Sequence, residues 1–371
     1  MVKNKKVKII LSIIVVMSLS AFTVTQSSSF GKSPKGERSE RIKKSPNFKD
    51  GKFRNIHYTP TMPEGYTMMG EIYKTFFKKN PRKFPTDTIP SVKTNLLNLP
   101  IDSNVIVWFG HSSYFLQIDG KRFLVDPVFS GHASPFSFAV KAFKGTDRYT
   151  ADSMPEIDYL LITHDHFDHL DYKTVKALNP KVKQVICGLG VGEYFESRGY
   201  NPNKIIEKDW NETYDIAENF KIHAVTAAHG SGRFLSTDKT LWVSFVLEAP
   251  SMRIFLGGDG GYDTHFAEIG KKYGVFDLAI LENGQYADDS NSIHMSPGYV
   301  IKAAKDLNAK RLFPIHSCKF VLYRHPWDEP LIRITALGAK ENIPIVTPMI
   351  GESVNLNDTT QVFKQWWNGI N

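Results

Sequence analysis

Apolar residues in this chain come in short runs that break off at polar or glycine-bearing segments. Residues 105–109, Tyr114–Ile118 and Lys121–Val125 have strand length and strand character, and Asp119-Gly120 between the last two is a hairpin signal, since both turn positions need a left-handed backbone. Further runs at Ile157–Ile162 and at residues 182–186, 225–228, 254–256 and 311–315 predict more strands. Helical spacing predicts helices over Tyr172–Leu178 and over residues 192–197, 265–272, 297–307 and 328–341. Ser296 and Pro297 supply a cap and a first residue for the fourth of these. Strands and helices interleave through both halves, which places the chain in the α/β (α+β) class. With 371 residues and 42% hydrophobic content it can bury one large core. No short-period repeat is visible.

What stands at the ends of the runs changes the picture. Ile157–Ile162 leads directly into Thr163-His164-Asp165-His166-Phe167-Asp168-His169, which packs three imidazoles and two carboxylates into six residues. In an extended or turning backbone, His164 and His166 can point to one side, while Asp168 and His169 are displaced around the turn. A histidine-rich surface loop is the bland alternative, but the chain has only 12 histidines, and three later runs also end in a ligand type. His229 follows residues 225–228, Asp259 follows residues 254–256 between glycines, and His316 follows residues 311–315. Imidazole with carboxylate suits zinc, with iron or manganese as further candidates. Asp126, before Pro127 at another strand end, is placed to accept a proton from a ligand imidazole. His111, after Gly110, reads as structural or as a substrate contact.

The order His164, His166, Asp168, His169, His229, Asp259, His316 resembles the metallo-β-lactamase superfamily. The strings Trp108-Phe109-Gly110-His111-Ser112-Ser113, Leu124-Val125-Asp126-Pro127 and Gly257-Gly258-Asp259-Gly260-Gly261-Tyr262 are similar, more narrowly, to the N-acyl-phosphatidylethanolamine-hydrolysing phospholipase D family, over residues 50–342. The resemblance implies an αββα sandwich, two mixed sheets packed together with helices on the outer faces. It implies two Zn2+, one held by His164, His166 and His229 and the other by Asp168, His169 and His316, with Asp259 between them. No Cys holds a ligand position, unlike the antibiotic-hydrolysing branch. Such a centre implies a di-zinc hydrolase in which a hydroxide shared by the metals attacks a phosphodiester and Asp168 orients it. His294 would bind the phosphate or protonate the leaving group, although Gly298-Tyr299 replace the Glu pair that often follows the Pro in these families. The aromatic stretch with Phe136, Phe138 and Phe143 would line the path of an acyl chain. Phospholipid is thus the expected substrate. A lactonase acting on a sugar-phosphate or acyl lactone is the alternative, and a non-catalytic envelope binding protein ranks below both.

Charge divides the chain. The first 30 residues carry four Lys and no acid, and the next 24 carry nine basic against three acidic residues, so of the net +8 the remaining 317 residues carry −2. That weighs against a nucleic-acid partner, which usually needs a basic groove for its phosphates. Lys3, Lys5, Lys6 and Lys8 before the apolar stretch from Ile9 to Phe22 make residues 1–26 a signal peptide or amino-terminal anchor. The protein is expected to be exported, periplasmic or membrane-associated. Residues 27–49 read as a basic disordered linker, a solvated tether or a peripheral contact with anionic lipid. Residues 50–371 form the hydrolase domain. Cys187 and Cys318 read as separate buried thiols, and the oligomeric state stays open, a homodimer included.

Overall fold

Two successive sets of strands, divided where the chain passes from residue 208 to residue 213, build two sheets. The computed structural model describes residues 28–371 except 60–66, 68, 71–72, 74–80, 234–235 and 288–292. Helix α1 (Gly36–Lys44) and a hairpin of β1 (Phe48–Lys49) and β2 (Lys52–Phe53) come first. The first sheet takes β3 (Val105–Trp108), β4 (Tyr114–Ile118), β5 (Lys121–Val125), β6 (Ile157–Ile162), β7 (Val182–Gly188) and β8 (Ile205–Lys208). Helices α2 (Tyr172–Leu178) and α3 (Gly192–Glu196) interrupt it. The second takes β9 (Thr213–Ala217), β10 (Phe220–Val225), β13 (Ser244–Glu248), β14 (Arg253–Leu256), β15 (Leu278–Glu282) and β16 (Leu312–Ile315), while β11 (Gly232–Arg233) and β12 (Ser236–Thr237) pair with each other. Its helices are α4 (His265–Tyr273), α5 (Pro297–Asp306) and α6 (Glu329–Glu341). Strand β17 (Ser353–Asn355) then returns to β3 at the edge of the first sheet.

Alternate side chains explain the layers. Ile106, Trp108, Leu116, Leu161 and Ile186 of the first sheet meet Ile222, Phe245, Leu256, Ile280 and Phe313 of the second in one core. Their neighbours Val107, Phe115, Leu124, Leu160 and Ile162 turn the other way, onto Val175 and Leu178 of α2 and Phe195 of α3. On the far side Val246, Phe255, Ala279 and Leu281 pack on Phe266, Val300 and Ile334 of α4, α5 and α6. Strands buried on both faces lose polar alternation, which is why they read as unbroken apolar runs. Each such buried Leu, Ile or Phe contributes roughly 1.5–3 kcal/mol. The order helix, sheet, sheet, helix is the expected αββα sandwich. The β4–β5 hairpin turns on Asp119 (φ 47°) and Gly120 (φ 72°), as its sequence predicts.

Two expectations are corrected. The strand before His229 ends at Val225, so Thr226 to Ala228 form an irregular connection and not a strand. The segment 27–49, read as a disordered linker, includes α1, whose Ile42 is buried in the core. Arg38 is ion-paired with Glu193 (2.9 Å), Glu207 (2.7 Å) and Glu196, and Arg41 pairs with Glu212 (2.8 Å). The charge of this segment looked unpaired because its acidic partners lie 155–171 residues away. Residues 1–26, read as signal or anchor, lie outside the described residues. No described helix is long and apolar enough to cross a membrane.

Because Arg38 leaves three carboxylates facing one another when removed, Arg38→Met should lower unfolding free energy by about 2–4 kcal/mol. Urea unfolding measures this, and a loss below about 0.5 kcal/mol would make the segment a loosely held tether after all.

Candidate metal centre

The carboxyl ends of β6, β14, β15 and β16 and the segment after β10 meet at one edge where the two sheets join. Beyond β6 the chain turns sharply through His164 to His169, with His169 N and Leu170 N both donating to His166 O. Asp165 fixes this turn from outside. Its Oδ1 accepts from Gly232 N (2.6 Å), its Oδ2 from Tyr194 Oη (2.8 Å) and its carbonyl from Arg233 Nε (2.6 Å). Arg233 also reaches Leu170 O and Ser29 O, so the turn at residues 28–30, ahead of α1, braces the same loop. Asp165 is thereby committed to the scaffold, while His164, His166, Asp168 and His169 enter the ligand cluster.

All seven ligand candidates come together. His164 Nε2 lies 2.9 Å from His166 Nδ1, which lies 3.3 Å from His229 Nε2. A tetrahedral ion with Zn–N of about 2.0–2.1 Å separates its nitrogens by roughly 3.3 Å, so these three suit a shared ion. Asp168 Oδ2 and His169 Nε2 are 3.3 Å apart in a second group with His316 and His111. Asp259 reaches both. Its Oδ2 is 3.0 Å from His169 Nε2, 3.8 Å from His164 Nε2 and 3.9 Å from His229 Nε2, and its Oδ1 is 3.1 Å from His316 Nδ1. Asp259 Oδ1 and His316 Nε2 are buried without a hydrogen-bond partner, as expected of atoms that await a cation.

Glycines let Asp259 in this far. A Cβ on Gly258 would stand 2.8 Å from Thr163 Cβ and 2.9 Å from Val243 O, and one on Gly257 would stand 2.7 Å from Ile280 O. His111 (φ 54°), Asp126 (φ 43°) and His316 (φ 68°) all adopt a left-handed backbone, a concentration of strain typical of functional edges.

The electrostatics fit a metal. Burial first, then neighbouring imidazoles, hold His164, His229 and His316 well below the usual imidazole range, so they are neutral donors. Burial alone would raise Asp168 and Asp259, but His169 together with His111 beside the first, and with His316 and His294 beside the second, outweighs it and both stay ionised. His169 is the reverse case. Burial lowers it, yet Asp259, Asp168 and Asp126 together hold it well above its ordinary value. Three carboxylates around one imidazole are an excess of negative charge that a divalent ion would neutralise, displacing the proton. Asp126 accepts from His169 Nδ1 (2.8 Å), Thr163 N (2.9 Å) and Thr163 Oγ1 (2.6 Å), and Thr163 Oγ1 is 3.0 Å from His164 Nδ1. One carboxylate thus orients imidazoles of both groups.

His294 stands beside the two groups, its ring 5.0 Å from that of His316 and 5.2 Å from that of His229. Its Nδ1 is 2.8 Å from Glu282 Oε2, and Glu282 Oε1 accepts from Met295 N (2.5 Å). Burial alone would lower His294, but the Glu282 carboxylate overrides it and raises the imidazole to about 9. Glu282 was not singled out from sequence, although it follows an apolar run as every ligand candidate does.

Other placements differ from expectation. His111 is wholly buried behind Asp168 and His316, which excludes direct substrate contact in this conformation. Phe143 belongs to the central core and packs on Phe84, so it is not an open wall. Phe136 and Phe138 are exposed and stack on each other at 5.5 Å. Cys187 and Cys318 are free, buried thiols.

Comparison with known proteins agrees with this geometry. A family profile for the beta-lactamase superfamily domain matches residues 121–317. An uncharacterised protein of Mycobacterium tuberculosis is 33% identical over 327 residues, 87% of each chain. N-acyl-phosphatidylethanolamine-hydrolyzing phospholipase D 1 of Caenorhabditis elegans is 31% identical over 274 residues, 68% of this chain and 75% of that protein. The solved structure of Igni18, a metallo hydrolase of Ignicoccus hospitalis, shares the fold with a TM-score of 0.52 at 17% identity, over 68% of this chain and 98% of that one.

Elemental analysis of protein reloaded with zinc should find two ions per chain. Asp126→Ala should weaken ion binding roughly 10–100-fold in chelator competition. Unchanged affinity would mean that His169 and His164 keep their orientation without it.

Proposed function

The chain is a metallo-hydrolase of the β-lactamase superfamily, and we propose that it cleaves the headgroup phosphodiester of an N-acyl-phosphatidylethanolamine-like phospholipid. The observation that carries this reading is the pairing of two adjacent ligand groups across Asp259 with the imidazole of His294, held by Glu282, beside both. The lipid part rests on the relative from Caenorhabditis elegans and on the exposed Phe136–Phe138 stack, an apolar surface suited to acyl chains.

His164, His166 and His229 would hold one divalent ion, and Asp168, His169 and His316 the other, with Asp259 shared. Bound there, two ions supply Lewis acidity and bring the pKa of water towards about 7. The donor set suits zinc, with iron or manganese also compatible. Asp168 accepts a hydrogen bond from the attacking water and aims it at phosphorus. The new P–O bond forms as the bond from phosphorus to the N-acylethanolamine oxygen breaks, and that oxygen takes a proton from His294. Glu282 keeps His294 charged and turned, its Nδ1 engaged so that Nε2 is free to donate. The products are a phosphatidic acid and an N-acylethanolamine. We place this activity in the cell envelope, on the strength of the basic and apolar leader in residues 1–26, and expect a phospholipid surface and no nucleic acid as its partner.

Metal-loaded protein should release phosphatidic acid from N-acyl-phosphatidylethanolamine in mixed micelles, and Asp168→Asn should not. Opening of lactones alone would keep the centre and move the substrate to another class. His294→Ala should retain both ions and lose roughly 10²–10⁴-fold in turnover. Near-normal turnover would remove His294 from the reaction.

A further inference from the structure

His111 lies outside the seven-residue ligand set, yet the chain goes to some length to aim it. Its backbone is left-handed at φ 54°, a conformation costly for a residue with a Cβ. It is held there by reciprocal bonds to the other sheet: His111 N donates to Ser317 O (2.9 Å) and His316 N donates to His111 O (2.9 Å). Trp108 Nε1 also donates to His111 O, at 2.7 Å. The ring packs 4.1 Å from that of His316, and its Nε2 comes 2.9 Å from Asp168 Oδ2. Its Nδ1 is buried with no partner. An ionised carboxylate and a bare ring nitrogen cannot approach so closely, so Nε2 carries the hydrogen and donates it.

We propose that His111 is a positioning residue, whose Nε2–H bond to Asp168 fixes the rotation of that carboxylate and so the geometry of the second ion site. The usual arrangement, in which a carboxylate orients a ligand imidazole, occurs at Asp126 and His169. At His111 the roles are exchanged, and an imidazole orients a ligand carboxylate. The inference rests on the metal-centre reading and extends it to a residue with no ligand role.

The test compares two variants of similar volume, His111→Leu and His111→Gln, in the full chain. Both fill the space, but only Gln offers an N–H at the reach of Nε2. Zinc stoichiometry and affinity are read by elemental analysis and chelator competition, the coordination by the visible spectrum of the cobalt-substituted protein, and the fold by the melting temperature without metal. With matched metal-free melting, His111→Leu should keep the first ion, bind the second roughly 10–100-fold more weakly and alter the cobalt spectrum, while His111→Gln restores both. A Leu variant with wild-type affinity and spectrum overturns the inference. So does a Gln variant as impaired as Leu, which would assign His111 to packing. Wild-type protein that holds no ion overturns the metal-centre reading as well.

Discussion

Three buried carboxylates, Asp126, Asp168 and Asp259, converge on the single imidazole of His169, and the rest of the edge is arranged around that concentration of charge. Burying one unpaired carboxylate costs several kcal/mol, and three would be prohibitive without compensation. Compensation is built in layers. Backbone and hydroxyl donors of Thr163 take up Asp126, and the imidazoles of His111 and His316 stand against Asp168 and Asp259. What remains is a demand for positive charge that the protein's own protons meet in part by keeping His169 charged, in the form that cannot ligate. The site is therefore a receptor for a cation before it is anything else.

This charge dictates where the sheets must join. Asp126, Asp168 and His111 come from the first sheet, and Asp259, Glu282 and His316 from the second, so partners that neutralise each other across the seam, such as His169 and Asp259, are 90 positions apart. Neither sheet has a balanced edge alone. The central core from Trp108 to Phe313 brings the edges into register, and the backbone bonds between His111 and residues 316–317 lock it there. Packing and electrostatics support the same arrangement at this point, which is the kind of agreement that marks a strongly specified fold.

Much of this was legible along the chain. Tyr114–Ile118, Lys121–Val125 and Tyr172–Leu178 have the boundaries their patterns predict, because local turn chemistry at Asp119-Gly120 and capping by Asp171 fix them. The clustering of the ligand candidates was legible because they follow strand ends and four of them stand within six residues of one another. Partners distant in sequence were not. Arg38 looked like surplus charge until Glu193, Glu196 and Glu207 closed around it. Glu282 was not singled out, and only the fold shows that His294, twelve residues on, returns to it. Phe143 and Phe138 read alike as aromatic residues of one loop, and burial alone separates a core side chain from a surface one.

The glycines beside Asp259 have a consequence of scale. With no Cβ at Gly257 or Gly258, the tip of β14 lies against Thr163 on one side and against Val243 and Ile280 on the other, at distances that admit a hydrogen atom and nothing larger. A methyl group there would act as a wedge between the tip that carries Asp259 and the tip that carries His164 to His169. The reach of Asp259 towards the His164–His169 turn is thus gauged by the smallest side chain available. Any chemistry that depends on two ions sitting a fixed few ångströms apart inherits its ruler from a pair of hydrogens on the main chain.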